Sequence, residues 1–302
     1  MGDIKLFRIG KTKVQQLGGK SLALERSLQT MIEKHLEELL GVRFLATEYS
    51  TGKTHRGRID TLGIDENGCP VIIEYKRATN ENVINQGLFY LDWLMDHKAD
   101  FRILVQETIG KKASENIEWS NPRLLCIAGD FTKYDEHAVQ QINRNIELIR
   151  YVRYPEDLFL LELVNAVQAG RAAEAPSAVV AGHTYKTVAQ HIDDAPESLK
   201  DLFEELKQML LSFGDDVQVS ILKFYVSFKR IKNFACVELR PKDHSILAHL
   251  NLSPADVKLE KDFTRDVSKI GHYGTGDLEV RIHSKDDLER ARTLFEKSYE
   301  AS

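Results

Sequence analysis

Two acidic residues and a lysine stand in a short stretch of the chain where two strands are predicted. One strand opens with Gly57-Arg58-Ile59-Asp60, and the next ends with Ile72-Ile73-Glu74-Tyr75-Lys76. Alternate residues of a strand face the same side, so Glu74 and Lys76 share a face and Tyr75 points to the other. An aspartate, a glutamate and a lysine grouped in this way are suited to metal-assisted cleavage of a phosphodiester bond.

The turn between the two strands decides whether Asp60 joins that face. A register slip of one residue would move all the side chains of a strand to the opposite side. A two-residue Asn67-Gly68 loop would pair Asp60 with Tyr75 and disperse the site. A three-residue loop, Glu66-Asn67-Gly68, with Gly68 in the left-handed conformation, pairs Asp60 with Glu74 instead. We predict the three-residue loop.

With that register the two carboxylates lie directly opposite each other, roughly 5 Å apart at Cβ, which suits a hard divalent cation. The expected ion is Mg²⁺ or Mn²⁺, with the backbone carbonyl of Tyr75 completing the shell. Such a cation polarises a phosphate and lowers the pKa of a bound water. Lys76 would orient that water or offset charge that develops in the transition state.

A solvated cross-strand charge cluster is the structural alternative for the same residues. The run Val71-Ile72-Ile73 argues against it, because a continuous apolar run is typical of a strand that is buried on both faces. Charged residues at the end of such a strand need a partner or a metal. The functional interpretation of Asp60, Glu74 and Lys76 is therefore favoured.

Residues from about Glu25 to about Trp93 resemble the PD-(D/E)XK nuclease superfamily, and more closely its branch of NucS-like endonucleases with a Gly-Arg-Ile-Asp motif. The resemblance implies that Asp60, Glu74 and Lys76 bind metal and activate water. It also implies a Gln-x-x-x-Tyr motif on the next helix, matched by Gln86 and Tyr90, and an acidic residue on the preceding helix, matched by Glu25. Cleavage of DNA is the activity that this family implies.

The additional residues also have structural interpretations. Gln86 and Tyr90 are four residues apart and lie on one face of a helix, where Gln86 is suited to hold a DNA phosphate or a metal-bound water. Tyr90 is a candidate for contact with DNA, but it is more typical of a packed aromatic whose hydroxyl finds a partner. Glu25 is a candidate metal ligand, but an acidic residue in a first helical turn is also favoured by the helix dipole.

Basic residues near the same strands are candidates for contact with a DNA backbone. Arg56, Arg58 and Arg77, with Lys53 and His55, would place positive charge around the cleft. They are equally compatible with a solvated loop. Contacts to phosphate position a protein on DNA without reading its sequence, so they imply no preferred base sequence.

Composition limits the class of protein. The 302 residues carry a formal net charge of −5 with a pI near 6.1, so any attraction to DNA must be local. No apolar run is long enough to cross a bilayer and the start lacks the apolar core of a secretory signal, so a cytoplasmic protein without membrane contact is expected. Three scattered cysteines indicate reduced structural thiols.

Length and pattern predict two domains. A nuclease-like domain is expected over 1–165, a small-residue linker over 166–182, and a smaller α+β domain over 183–302. The pattern predicts that the first domain is α/β, a mixed sheet flanked by helices. The resemblance to the nuclease superfamily implies that this sheet is restriction-endonuclease-like. Its elements are predicted as helices near 22–40, 81–97 and at Gln140, and as strands at 4–9, 43–49, 101–105, 124–128, 148–152 and 158–163, besides the two site strands.

The second domain is predicted to contain a helix over 196–213, antiparallel strands at 217–222, 225–229 and 234–239, and a terminal helix from Lys285. The glycine-rich stretch 271–277 resembles a phosphate loop, but it leads into a strand, so a turn is favoured. This half resembles a poorly characterised domain that accompanies nuclease-like domains and has carried a "predicted transport protein" label. A role in recognition or partner binding is expected.

Two functions from different classes follow. The first is a metal-dependent DNA endonuclease of repair or defence, acting on single-stranded, branched or mismatched DNA; a homodimer is favoured if both strands of a duplex are cut. The second is a non-catalytic nucleic-acid or protein interaction module on a nuclease scaffold. A binding-only protein has no need of two carboxylates facing an anionic ligand, which favours the enzyme.

Overall fold

The computed structural model describes residues 4–10, 13–21, 25–52, 56–76, 83–167, 178–180, 183–185 and 187–302. Two compact units make up the chain. The first comprises Met1–Asp65, Pro70–Ile117 and Pro122–Gly170, and the second comprises Glu66–Cys69, Glu118–Asn121 and Arg171–Ser302. The predicted linker, 166–182, falls mainly outside the described residues and stays a prediction.

The first unit is built on a six-stranded mixed sheet in the order β3-β4-β5-β6-β7-β8. Its strands are β3 (Val42–Ser50), β4 (Arg58–Asp65), β5 (Pro70–Lys76), β6 (Arg123–Ala128), β7 (Asn145–Arg153) and β8 (Phe159–Val167). The pairs β5–β6 and β6–β7 are parallel, and the other neighbouring strands are antiparallel. The predicted α/β class with a mixed sheet is therefore confirmed.

The β4–β5 hairpin has the register that the three-residue turn predicts. Thr61 pairs with Ile73 and Leu62 with Ile72, so Asp60 is opposite Glu74. Gly68 has φ of 79°, the left-handed conformation that a glycine adopts at no steric cost. Val71, Ile72 and Ile73 are fully buried, as expected for a strand covered on both faces.

Helices cover both faces of this sheet. They are α1 (Glu25–Lys34), α2 (Leu36–Leu40), α3 (Val83–Asp96), α4 (Lys98–Thr108), α5 (Lys111–Glu115) and α6 (Lys133–Gln140). Helix α3 packs on the face that carries Ile72 and Glu74, since a Cβ at Gly87 would lie 2.4 Å from the Leu124 side chain on the neighbouring strand. Helix α1 contacts the opposite face through Thr61.

Two predictions about the first unit are wrong. Residues 101–105 were expected to form a strand and instead belong to α4, where Phe101 and Val105 are buried and the residues between them are more exposed. A spacing of four between buried residues is helical, but a five-residue run that is largely apolar does not distinguish the two structures. The helix expected over 22–40 is interrupted at His35, between α1 and α2.

The predicted edge strand at 4–9 also differs from the structure. Residues Leu6–Ile9 form β1, which pairs with β2 (Val14–Leu17) as a separate two-stranded ribbon rather than as an edge of the main sheet. Phe7, Ile9 and Val14 are exposed, so the weak alternation of the sequence does not correspond to one buried face.

The second unit has a six-stranded antiparallel sheet in the order β11-β12-β13-β14-β16-β15. Its strands are β11 (Gln218–Ile221), β12 (Val226–Lys229), β13 (Asn233–Arg240), β14 (Ser245–Leu250), β15 (Thr264–Asp266) and β16 (Leu278–Ile282). Short strands β9 (Ala178–Val180) and β10 (His183–Tyr185) precede them. The helices are α7 (Val188–Asp193), α8 (Glu197–Leu211) and α9 (Lys285–Glu300).

The core of the second unit lies between one face of its sheet and these helices. Phe228, Val237 and Val280 from the sheet pack with Leu206 of α8 and Phe295 of α9. The predicted antiparallel strands and both long helices are confirmed. Among the helices of the described ranges, none combines the length and apolar character needed to cross a bilayer.

Candidate active site

Asp60 and Glu74 hold each other in place through the backbone of the opposite strand. The N–H of Asp60 donates to Oε1 of Glu74 at 3.2 Å, and the N–H of Tyr75 donates to Oδ2 of Asp60 at 3.0 Å. These two bonds fix one oxygen of each carboxylate. Oδ1 of Asp60 and Oε2 of Glu74 lie outside this pair of bonds and are the oxygens that a ligand would use.

Burial makes the charge on this pair costly. Glu74 is fully buried, and burial together with the nearby Asp60 raises its pKa to about 9. Burial also raises the pKa of Asp60, although the bond from Tyr75 and the charge of Lys76 oppose the shift. On the next strand Glu74 is beside Cys126, a buried thiol whose pKa is raised by burial and by Glu74. A fully buried carboxylate next to a partly buried one favours a bound cation.

Another acidic pair of the same unit, in which both residues are buried, shows a purely structural arrangement. Asp65 and Glu147 are both buried, and the guanidinium of Arg123 lies between them. Nη1 of Arg123 is 2.9 Å from Asp65, and its Nε is 2.7 Å from Glu147. This pair therefore has a counter-charge supplied by the protein at hydrogen-bonding distance.

The Asp60 and Glu74 pair differs from the Asp65 and Glu147 pair mainly in the hydrogen bonding of one carboxylate oxygen. Oε2 of Glu74 is buried and has no hydrogen-bond partner among the described residues. A buried acceptor left in this state costs about 1–3 kcal/mol, and more when it is charged. Carboxylate oxygens are the ligands that Mg²⁺ and Mn²⁺ prefer, so the donor set fits such an ion.

The protein contributes few ligands to such an ion. Within the described ranges, no group of three or more His, Cys, Asp or Glu side chains has a geometry for metal binding. Asp60, Glu74 and a backbone carbonyl such as that of Tyr75 are therefore the available set. A small set suits Mg²⁺, which keeps several waters and binds through one or two carboxylates and the phosphates of a substrate.

Lys76 and Glu25 come together at the end of β5. Nζ of Lys76 lies 3.8 Å from Oε2 of Glu25, the first residue of α1. Lys76 is also close enough to lower the pKa of both Asp60 and Glu74. The structure thus brings four of the predicted site residues to one end of the sheet, and it places Glu25 as a partner of Lys76.

Gln86 and Tyr90 lie on α3 as the four-residue spacing predicts. Nε2 of Gln86 is 3.4 Å from the hydroxyl of Tyr90, which in turn accepts a bond of 3.2 Å from the N–H of Arg58. The Tyr90 ring is buried against Gly57, where a Cβ would lie 2.5 Å from Cε1 of the ring. Tyr90 is thus a packed residue that holds the start of β4, and its predicted contact with DNA stays a prediction.

The predicted DNA-binding arginines are only partly covered by the structure. Arg58 is exposed, and its Nε lies 3.2 Å from Oε2 of Glu48 on β3. Arg56 is exposed and has φ of 50°. Arg77 and the loop residues Lys53 and His55 lie outside the described residues. The two described arginines precede Asp60 on the same segment of chain.

Two residues at the site were not identified from the sequence. Glu48 has φ of 48° and lies between the paired residues Thr47 and Tyr49, and its charge raises the pKa of both Asp60 and Glu74. Gln29 on α1 is buried, and its Nε2 donates to the backbone carbonyl of Asp60 at 2.7 Å. Its position four residues after Glu25, on the same helix face, is the one signal in the sequence that pointed to it.

Two family models and one curated relative are similar to parts or all of this chain. Residues 24–129 match the family model described as the endonuclease NucS C-terminal domain. Residues 188–302 match the model of a domain of unknown function, DUF5655. The chain is also 28% identical over 304 residues to an uncharacterised protein of Haemophilus influenzae, covering 98% of this chain and 99% of that protein. The NucS-like resemblance of the first unit is therefore confirmed.

Two solved structures show more distant similarity. One is a repair endonuclease from Pyrococcus abyssi, with 18% identity and a TM-score of 0.29 over 44% of this chain and 49% of that one. The other is an EndoMS complex with double-stranded DNA, with 16% identity and a TM-score of 0.25 over 48% of this chain and 65% of that one. The chain spans about half of the first protein and just under two thirds of the second.

Proposed function

We propose that the first unit is a metal-dependent endonuclease that hydrolyses phosphodiester bonds of DNA, in repair or defence. The observation that carries this proposal is the pair of the partly buried Asp60 and the fully buried Glu74, in which Oε2 of Glu74 has no partner among the described residues. The NucS-like match over residues 24–129 supports the same reaction class. The proposed ion is Mg²⁺ or Mn²⁺, held by Asp60, Glu74 and the Tyr75 carbonyl.

Each residue of the site has a role in this proposal. A divalent cation in the site would supply Lewis-acid activation of the phosphate and of water. Asp60 and Glu74 bind it, and the two backbone bonds between their strands keep the carboxylates at a fixed separation. Lys76 lies beside the pair and offsets negative charge that builds up on the phosphate in the transition state. Glu25 holds the ammonium group of Lys76 in place.

The substrate is positioned by the residues that precede Asp60. Arg58 and Arg56, with Arg77 after β5, are proposed to contact the DNA backbone, which requires local positive charge in a chain of net charge −5. Gln86 would hold a phosphate or a water next to the metal. Tyr90 contributes by fixing the backbone of Arg58. Single-stranded, branched and mismatched DNA are the proposed substrates.

The test is cleavage of these DNAs, and of a matched RNA, by the wild-type chain in Mg²⁺ or Mn²⁺. Asp60→Asn and Lys76→Ala should each lower the cleavage rate by at least about a hundredfold, the usual effect of removing a group that stabilises developing charge. Asp92→Asn is the matched control, because Asp92 is an exposed aspartate on α3. It should leave the rate unchanged.

Binding without cleavage would favour the interaction module instead. In that case DNA binds with equal affinity to the wild type and to Asp60→Asn, and no metal produces a cut. Cleavage by the wild type that persists in both site variants would instead show that the activity resides elsewhere.

Sedimentation of the protein with a duplex substrate tests the proposed homodimer, which is favoured if one site per chain must cut two strands.

A further inference from the structure

A buried polar network lies behind the carboxylate pair, on the face of the sheet that α1 covers. Nε2 of Gln29 is 2.7 Å from the carbonyl oxygen of Asp60, 3.0 Å from Oγ1 of Thr47 and 3.1 Å from Oε1 of Glu33. Gln29 is 7% exposed. A buried amide group donates where it can be satisfied, so these contacts fix its orientation.

Asp60 lies opposite Glu48 of β3 and just past Thr61, whose pair with Ile73 is the last regular pair of the β4–β5 ladder. Thr47 pairs with Thr61 and Tyr49 with Ile59, but Glu48, which lies between them, has φ of 48°. This conformation is uncommon for a residue other than glycine. Gln29 supplies a donor to the backbone of Asp60 at the position where the neighbouring strand departs from regular geometry.

The same network reaches the residue next to Glu74. The hydroxyl of Thr61 donates to Oε1 of Glu33 at 2.6 Å, and Oγ1 of Thr61 lies 3.2 Å from the hydroxyl of Tyr75. Tyr75 is fully buried, and its N–H is the donor to Oδ2 of Asp60. Gln29 therefore contacts the backbone of β4 directly, and Glu33 reaches the side chain of Tyr75 on β5 through Thr61.

We infer that Gln29 is a positioning residue of the proposed nuclease: through the carbonyl of Asp60, and together with Glu33, Thr61 and Tyr75, it sets the separation of the Asp60 and Glu74 carboxylates for a divalent cation. The inference rests on the proposed function. Groups behind the ligands of a metal orient those ligands, and their loss typically lowers metal affinity by about 10 to 100-fold.

The experiment measures the Mn²⁺ affinity of the full chain by calorimetry, together with its thermal midpoint and its cleavage rate. Gln29→Leu removes the donors at nearly constant volume and should weaken Mn²⁺ binding at least about tenfold. Gln218→Leu is the matched control: Gln218 is a buried glutamine of the second unit, and its Nε2 donates to a backbone carbonyl, that of Arg230, at 3.2 Å. It should lower the thermal midpoint and leave Mn²⁺ affinity unchanged.

A second pair of variants tests the network without changing α1. Thr61→Val removes the hydroxyl that joins Glu33 to Tyr75, and Thr61→Ser keeps it. Thr61→Val should weaken Mn²⁺ binding, whereas Thr61→Ser should retain the affinity of the wild type. This pair decides the question if Gln29→Leu does not fold.

The outcomes separate this inference from the function on which it rests. A wild-type chain that binds Mn²⁺ and cuts DNA, with Gln29→Leu and Thr61→Val equal to it in Mn²⁺ affinity, overturns the positioning role and leaves the nuclease standing. A loss of thermal stability alone, with unchanged Mn²⁺ affinity, also overturns it, because that is the effect of a merely structural residue. A wild-type chain that neither binds Mn²⁺ nor cuts DNA removes the proposed function itself.

Discussion

The N–H of Asp60 donates to Oε1 of Glu74 across the β4–β5 hairpin, at 3.2 Å. This bond joins the backbone of Asp60 to the carboxylate of Glu74, which is fully buried and lies beside the carboxylate of Asp60. The stability of the fold alone would favour a neutral residue at one of the two positions. Destabilising groups of this kind concentrate at functional sites, where they serve binding or catalysis.

Glu74→Gln should make the metal-free protein more stable. The neutral amide keeps an acceptor for the N–H of Asp60 and needs no proton, whereas Glu74, whose pKa burial and Asp60 raise to about 9, must take up a proton to be buried at neutral pH. One unit of pKa shift corresponds to about 1.4 kcal/mol, so the free energy of unfolding should rise by about 1 kcal/mol or more. Urea denaturation at neutral pH measures it. Glu147→Gln is the control of opposite sign, because it breaks an ion pair with Arg123 and should destabilise the protein.

Arg123→Met should strongly destabilise the first unit. The change leaves Asp65 and Glu147 buried without the guanidinium that lies 2.9 Å from one and 2.7 Å from the other. Removal of one partner of a buried ionic group typically costs about 3–5 kcal/mol. Chemical denaturation of the variant tests this value. If the free energy of unfolding falls by less than about 1 kcal/mol, Arg123 is not needed to stabilise Asp65 and Glu147, and this group is not the structural counterpart of the Asp60 and Glu74 pair.

The sequence contained enough information to place the carboxylate pair but not its supports. The register followed from the choice of the three-residue loop Glu66-Asn67-Gly68 over the two-residue loop, and the buried strand from the run Val71-Ile72-Ile73. These are local signals. Gln29 acts on Asp60 through the packing of α1, and its four-residue spacing from Glu25 is the one sequence signal for it. Glu48 acts through a local departure of β3 from regular geometry, which leaves no pattern along the chain.

The errors in predicted secondary structure have the same origin. The residues 101–105 are largely apolar in sequence, and only the tertiary structure shows that the buried positions are Phe101 and Val105, one helical turn apart. The weak alternation of residues 4–9 indicated a strand correctly. It could not indicate which strand would pair with it, and the partner is the adjacent β2.

The second unit should lose stability in acid because of His249. Its imidazole is buried between Glu238 and Glu279, with Nδ1 and Nε2 at 3.9 and 3.7 Å from their carboxylates, and its ring stacks on His272. Burial, with the charges of His272, Arg240 and Arg265, lowers its pKa to about 4. The unfolded chain takes up the proton near pH 6.5 and the folded chain does not, so stability falls as the pH drops from about 6.5 to 4.

His249→Gln should remove this part of the pH dependence. The difference in unfolding free energy between wild type and variant should change by up to about 1.4 kcal/mol per pH unit across that range. Denaturation at a series of pH values measures it, and His283→Gln, at an exposed histidine of the same unit, serves as the control. If the unfolding free energies of the wild type and of His249→Gln change in parallel with pH, the acid sensitivity does not come from His249.

Gly57→Ala should disturb the start of β4 and weaken DNA binding. A Cβ at this position would lie 2.5 Å from the Tyr90 ring, whose hydroxyl accepts from the N–H of Arg58. Tyr90→Phe should weaken DNA binding less, by about 1 kcal/mol of binding free energy, because it removes only the hydrogen bond. Fluorescence anisotropy with labelled DNA in Ca²⁺ measures the affinities. At Gly18 a Cβ would meet nothing within 4 Å, so Gly18→Ala is the control and should bind as the wild type does.

The central claim is that Asp60 and Glu74 bind one divalent cation together. Crystals of the full chain soaked in Mn²⁺ test it through the anomalous diffraction of the ion. The expected result is a single strong peak within about 2.5 Å of a carboxylate oxygen of Asp60 and of Oε2 of Glu74, absent from crystals of Asp60→Asn. A Glu74 carboxylate that stays without an ion at saturating Mn²⁺ would contradict the claim.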